Sequence, residues 1–453
     1  KVLFIQVFIL YIGVVCIQII KGYGMLNKLL STSLLLSAIS TPTFASDINT
    51  ELKSANKSVS EKVIKWRRHL HQYPELSNRE FETAKYVAKH LRSLGLEVQT
   101  GVAHTGVVAK LKGGKKGPLI ALRADMDALP VKEQVDLPFA STQTTEYKGN
   151  TVGVMHACGH DNHVAILMAA AESLVKIKDQ LAGDILFVFQ PAEEGAPDGE
   201  EGGAELMLKE GLFKEKPEAV FGLHVTSSLN TGQIGFREGP LMASADKFTI
   251  TVKGRQTHGS RPWNGVDPIV ASSQIIMATQ TIASRQVDVT KAPSVVSFGA
   301  INGGVRNNII PDQVEMVGTI RTFDQEMRAD IKKRLAKTAE MVAESGGAEA
   351  HVHIDHGYPV TVNDVELTKK MTPTLAGVVG KENLITTPLI TGAEDFSYYA
   401  LETPGMFFFL GVTPKGQDAV TAPSNHSPHF FADEKALQLG VNAMTQLVVD
   451  YLK

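Results

Sequence analysis

The chain has 453 residues, of which 43% are apolar and 21% charged, the balance of an ordinary globular protein. A formal net charge of −3 argues against a strongly basic face of the kind that binds nucleic acid or anionic lipid. The length suits two or three domains.

Residues 2–20, "VLFIQVFILYIGVVCIQII", carry no charge and are long enough to span a bilayer. From Met25 the chain reads as a secretory leader: Lys28, then the apolar "LLSTSLLLSAIS", then the small-residue site "TFA" ending at Ala45. Residues 1–24 are then expected to lie upstream of the true start, with a membrane anchor as the alternative reading. On either reading the working part begins near Ser46 and lies outside the cytosol, periplasmic or secreted. No stable membrane association is expected once the leader is removed.

Further along, "NREFETAKYVAKHLRSLG" puts Phe81, Ala84, Val87, Ala88, Leu91 and Leu94 on one helical face, with Gly95 as the stop. "GVVAKL" and "PLIALRAD" read as strands, and "HVAILMAAAESLVKI" as a helix with little polar surface. "GDILFVFQPAEEG" and "EAVFGLHV" are again buried-strand runs. Strands alternating with helices predict an α/β domain, a mostly parallel sheet covered on both faces. Ligands of such sheets sit beyond the carboxyl ends of the strands.

From about 240 the texture changes. "ADKFTITVKG", a helix over "DPIVASSQIIMATQTIASR", the strands "SVVSFGAING" and "QVEMVGTIRTF", a helix from Gln325, and the strand "EAHVHIDHGY" follow in turn. The order β-α-β-β-α-β predicts a ferredoxin-like unit. The expected division is a catalytic domain in two parts, 46–239 and 357–453, around an inserted domain, 240–356. The chain closes on a long helix, "ADEKALQLGVNAMTQLVVDYL".

Polar clusters interrupt or follow the apolar runs: Asp125 and Asp127; Cys158 and His160; Glu193 and Glu194; His224; His426 and His429. A charge at the end of a buried strand must be paired, hydrated or metal-bound. Thiolate, imidazole and carboxylate together suit zinc, manganese, cobalt or nickel. So many donors exceed what one tetrahedral ion needs, and a pair of ions is expected. Cys158, the only thiol left if Cys16 goes with the leader, has no CxxC partner, so metal ligation competes with burial as a small hydrophobe and, more weakly, with redox chemistry. In "QPAEEG" two adjacent carboxylates can divide the work, one on metal and one as proton acceptor. A solvated acidic turn is the competing reading, against which stands the apolar run "DILFVF" just before it.

"HACGHD", "QPAEEG", "GLHV", "GAEDFSYY" and "NHSPHF", in that order, resemble the M20 metallopeptidase family, and with "RRHLHQYPELSNREFET" and "LRADMDALPV" its amidohydrolase branch, over nearly all of 60–452. The resemblance implies an α/β catalytic domain, an inserted lid that makes a homodimer, and two divalent ions (Zn, Mn, Co or Ni). It implies Cys158, His160, Glu194, His224 and His426 as ligands and Glu193 as general base. Asp127 would orient a ligand, and Asp125 would do the same or pair with Arg123. His429 would be an extra histidine; His156 and His163 would pack or support. His258 would cross the dimer to steady an oxyanion. Asn307 and Arg321 would meet a substrate carboxylate, although Arg321 could equally pair with a lid acid. Gly392 would let the backbone approach substrate, and Glu394 and Asp395 would be buried supports. The implied reaction is hydrolysis of small N-acyl-amino acids, with an exopeptidase on short peptides as the alternative. A binding protein that has lost the chemistry is a further rival, which the intact Glu193–Glu194 pair opposes.

Overall fold

The computed structural model describes residues 47–453, and the leader and anchor expectations lie outside the described residues. An eight-stranded sheet organises the larger part of the chain. Its strands are β1 (Glu97–Val102), β2 (Gly106–Leu111), β3 (Lys115–Asp125), β4 (Ala182–Gln190), β5 (Ala219–Asn230), β6 (Ile234–Phe236) and two later strands, Leu384–Thr386 and Gly405–Thr413. The spatial order is β1, β2, β4, β3, β5, Gly405–Thr413, β6, Leu384–Thr386. The centre is parallel: β4 with β3, β3 with β5, and β5 with Gly405–Thr413. The β1 edge is antiparallel. There Ala103 and His104 turn the chain back at φ 49 and 75, so β1 and β2 form a hairpin rather than a crossover.

Alternation along β3 sends its side chains into two cores. Ile120, Leu122 and Ala124 join a core with six helices, among them His160–Lys176 and Lys435–Tyr451. Leu119 and Ala121 face a smaller core closed by the short helices Gly203–Lys209 and Phe396–Glu402. Both faces are covered, as the run of apolar strands requires. The helix His160–Lys176 is buried nearly all round, which accounts for its lack of a polar stripe. Gly159 starts it at φ 93, and a Cβ there would lie 2.4 Å from Val225 Cγ2.

Residues 246–355 build a second, antiparallel sheet. Its strands are β7 (Asp246–Lys253), β8 (Ser294–Gly303), β9 (Gln313–Thr322) and β10 (Glu349–Asp355), in the order β8, β9, β7, β10. Helices Pro268–Thr281 and Gln325–Ser345 cover one face and share an apolar core with it. The predicted β-α-β-β-α-β order is the observed one. Completing the eight-stranded sheet in chain order are β11 (Leu384–Thr386) and β12 (Gly405–Thr413). Among the described residues no helix is long and apolar enough to cross a membrane.

Candidate metal centre

The polar motifs converge at one end of the parallel strands. β3 ends at Asp125, with Asp127 just beyond; β4 ends at Gln190 and opens into the loop of Glu193 and Glu194; Cys158 and His160 flank the start of a helix. One expectation needs correcting. "EAVFGLHV" reads as a strand ending at Val225, yet β5 runs on through polar residues to Asn230. Its ladder with β12 continues past His224, which pairs with Phe409, and backbone pairing extends a strand wherever a neighbour is present, whatever the side chains.

Two three-donor groups share the Cys158 thiol: Cys158, His160 and His224, and Cys158, Glu194 and His426, with the donors of each group within 4.8 Å of one another. Sγ of Cys158 lies 3.3 Å from His224 Nε2 and 3.2 Å from His426 Nε2. Glu194 Oε1 lies 3.2 Å from His426 Nε2 and 3.8 Å from His160 Nε2. All five implied ligands are therefore together. His429 is exposed and belongs to neither group.

The surrounding hydrogen bonds set the donors correctly. His224 Nδ1 lies 2.7 Å from the Val225 carbonyl; it must donate there, which leaves the Nε2 lone pair facing the thiol. His163 accepts from Val225 N at 2.8 Å on Nε2, so its Nδ1 donates to Asp125 at 2.5 Å. With both nitrogens used, His163 is a support, not a ligand. Asp125 is also paired with Arg123 at 2.6 Å, the second of the two roles open to it, and the histidine it orients is a support. Asp127 holds the glutamate loop from behind. Its carboxylate accepts from the backbone N–H of Glu193 at 3.1 Å, of Glu194 at 2.9 Å, and from Ser77 Oγ at 2.7 Å. Arg123 also grips Glu394 at 2.8 Å and Asp395 at 2.7 Å, which makes these two the buried supports expected of them.

The charge balance favours cations. Burial alone would lower the pKa of His160, but Asp125 and Asp127 outweigh it and hold the ring at about 10. Burial, then Glu194 and Glu193, pushes the Cys158 thiol well up. Burial, then Glu394 and Glu194, does the same to Glu193. This is strong negative potential with one guanidinium to oppose it, and a divalent ion is the counter-charge that turns such a thiol into a thiolate. Nε2 of His160 is buried without a hydrogen-bond partner, while its Nδ1 lies 3.3 Å from Asp127 Oδ1, and burying a polar atom unsatisfied is costly unless something else binds it. The residues fit a two-ion site.

A cavity of about 730 Å³ opens onto this centre. Arg321 and Gly392 line it together with Cys158, Glu193, Glu194 and His426. Arg321 is half-buried, and no described carboxylate or carbonyl pairs with its guanidinium. Among the described residues no ion pair to an acid of the inserted domain forms, and Asp246 there acts on Arg321 only through its charge. His258 and Asn307 lie elsewhere. The ribbon of Thr257–His258 with Ile309–Ile310 brings them near each other at the tip of the inserted domain, where both are exposed.

Three contributors are absent from the sequence reading. Tyr358 Oη donates to the Glu193 carbonyl at 2.5 Å. Asn425 Nδ2 donates to the carbonyls of Cys158 at 2.9 Å and Val225 at 3.0 Å, tying two ligand loops together. Glu80 accepts from Ala192 N at 2.9 Å and so braces a residue held at φ 53. Only Asn425 carried a signal, as the neighbour of His426. His156, by contrast, is buried with neither nitrogen partnered, and burial pushes its pKa down to about 3, in keeping with a packing role.

Residues 121–450 match peptidase family M20/M25/M40. The thermostable carboxypeptidase 1 of Saccharolobus solfataricus is 41% identical over 89% of this chain and 99% of its own length. The N-acetyl-L-cysteine deacetylase of Bacillus subtilis is 40% identical over 85% of this chain and 88% of its own. Among solved structures, the Bacillus subtilis YXEP protein, a dinuclear metal-binding peptidase, is 35% identical with a TM-score of 0.72, covering 87% of this chain and 99% of its own. The motifs, the donor geometry and these likenesses agree, and the chain belongs to peptidase family M20/M25/M40, a family of hydrolases.

Proposed function

We infer that the protein hydrolyses the amide bond of N-acyl-amino acids, giving a carboxylic acid and a free amino acid. The observation that carries this is Arg321. An unpaired, half-buried guanidinium in the same cavity as Glu193 and the donor cluster suits one carboxylate placed beside a scissile amide. Cys158, His160, His224, Glu194 and His426 would hold two divalent ions of zinc, manganese, cobalt or nickel type. Such ions, when bound, supply the Lewis acidity that polarises a carbonyl and acidifies a water molecule.

The chain's own residues do the rest. Glu193, raised in pKa by burial and neighbouring carboxylates, takes the proton from the attacking water and passes it to the leaving amine. Asp127 and Tyr358 fix the backbone of Glu193, so that the base meets the water in one geometry. His258 would complete the site from a second copy, as a donor to the developing oxyanion. A homodimer through the inserted domain is supported by its surface: Ile269, Val270 and Met277 on one helix and Val295 and Ile301 on the edge strand β8 are exposed, and such an edge pairs readily with another chain. Export is supported by the leader-like residues 25–45.

The relatives include an N-acetyl-L-cysteine deacetylase and a carboxypeptidase, and cleavage of short peptides is the second reading. Substrate profiling separates them. Metal-loaded enzyme is offered hippurate, N-acetyl-amino acids and unblocked dipeptides. Release of benzoate and acetate at rates above dipeptide cleavage is expected; turnover of dipeptides alone would remove the acyl-amino-acid reading.

A further inference from the structure

A second cavity, of about 710 Å³, lies against the other side of the glutamate loop. Glu194 is the one residue that lines both this cavity and the one holding Arg321. Besides the glutamate loop itself, over Glu194–Asp198, the walls come from residues 74–79, the stretch from Ala128 to Pro130, and residues 143–148, which include the first strand, Thr144–Tyr147, of a hairpin apart from the main sheet.

The charges in these walls are already engaged. Arg79 donates to Glu200 at 2.6 and 3.1 Å. Glu75 accepts from the backbone N–H of Glu82 and Thr83. Lys148 lies 3.2 Å from Asp198, and Glu146 accepts from Thr151. What remains to face a ligand is Leu76, Leu129, Pro130, Val154, Tyr147, the threonine hydroxyls and the neutral amide of Gln143. Such a wall recognises an uncharged, largely apolar group, because a charged one would be desolvated without a partner.

We propose that this second cavity is the acyl subsite, and that it takes uncharged acyl groups much larger than acetyl. The assignment rests on the proposed amide hydrolysis. If Arg321 holds the amino-acid carboxylate in the first cavity, the acyl half lies across the scissile bond, on the far side of the centre. Glu194, a proposed ligand common to both cavities, marks that crossing point. Acetyl would leave most of the cavity empty, and each methylene buried there adds about 0.8 kcal/mol of binding.

The test uses one amino acid carrying acetyl, butanoyl, hexanoyl or octanoyl. The intact metal-loaded protein should show kcat/KM rising along the series. Thr145→Trp, on the exposed hairpin, should cut kcat/KM for the octanoyl substrate at least about 10-fold more than for the acetyl substrate. By calorimetry, octanoate should bind the unaltered protein more tightly than acetate, and Thr145→Trp should remove the difference. Activity on acetyl substrate with a flat chain-length profile overturns the subsite and leaves the reaction standing. Equal losses for all acyl groups in Thr145→Trp also overturn it. Failure to cleave any acylated amino acid overturns the reaction and the subsite together.

Discussion

Around the ends of β3, β4 and β5 the protein buries Asp125, Asp127, Cys158, His160, Glu193 and His224 within a few ångström of one another, while the core of the inserted sheet is apolar around a single buried carboxylate, Asp246, held by Arg328 at 2.7 Å and Lys332 at 2.7 Å. The first arrangement is unfavourable for folding by itself, since like charges repel and donors go unsatisfied. It persists because the apolar cores on both faces of the sheet hold it. The second is ordinary packing, with its functional candidates, His258 and Asn307, on the exposed surface. The contrast teaches where each region can act. The large-sheet part gathers its donor cluster within one chain; the inserted part lends Arg321 to the cavity beside that cluster and leaves His258 and Asn307 exposed.

The largest effect expected from breaking this contrast is at Glu193. Glu193→Ala should lower kcat by about 10²–10⁴ and leave metal content intact; unchanged hydrolysis would show that another group takes the proton. On the other side of the comparison, His258→Ala should lower kcat by about 10²–10³, the usual loss of one oxyanion donor. Mixing that variant with Glu193→Ala sharpens the point. Mixed dimers would contain one site with both groups and should regain activity, whereas a mixture as inactive as its parts would place His258 outside the reaction.

The smallest effect concerns Asp246. Burial alone would raise its pKa, but the hydrogen bonds and charges of Arg328 and Lys332 outweigh burial and hold it below the ordinary range. A group depressed in the folded state stabilises the fold in full above its unfolded value of about 3.9, and that contribution is lost as pH falls through the folded value. Thermal melts should therefore show stability declining below about pH 4, less steeply in Asp246→Asn. Parallel declines in both would show that other carboxylates control acid unfolding.

Much of the candidate centre was legible in the chain because its donors sit where apolar runs end. "RADMD" and "QPAEEG" interrupt strands that are otherwise wholly buried, and a thiol between histidines has few other uses. The contacts through which the supports act were not legible. Asp127 acts through backbone N–H groups of Glu193 and Glu194, and their direction depends on the loop turn at Ala192, not on residue type. His163 was expected to pack or to support; only the arrival of β5 gives it Val225 N to accept from. Arg321 could have met a lid acid, and whether an arginine is paired depends on what packs beside it.

By itself, then, the sequence determined the strand and helix order and the inserted unit and singled out the candidate donors, since periodicity and the cost of burying charge are local properties of a chain. Which donors share the Cys158 thiol, which tautomers His163 and His224 adopt, which arginine is free and where a second cavity opens were decided only in three dimensions. Those features are set by distances between residues far apart in the chain, and closing such distances is the work of the packed cores.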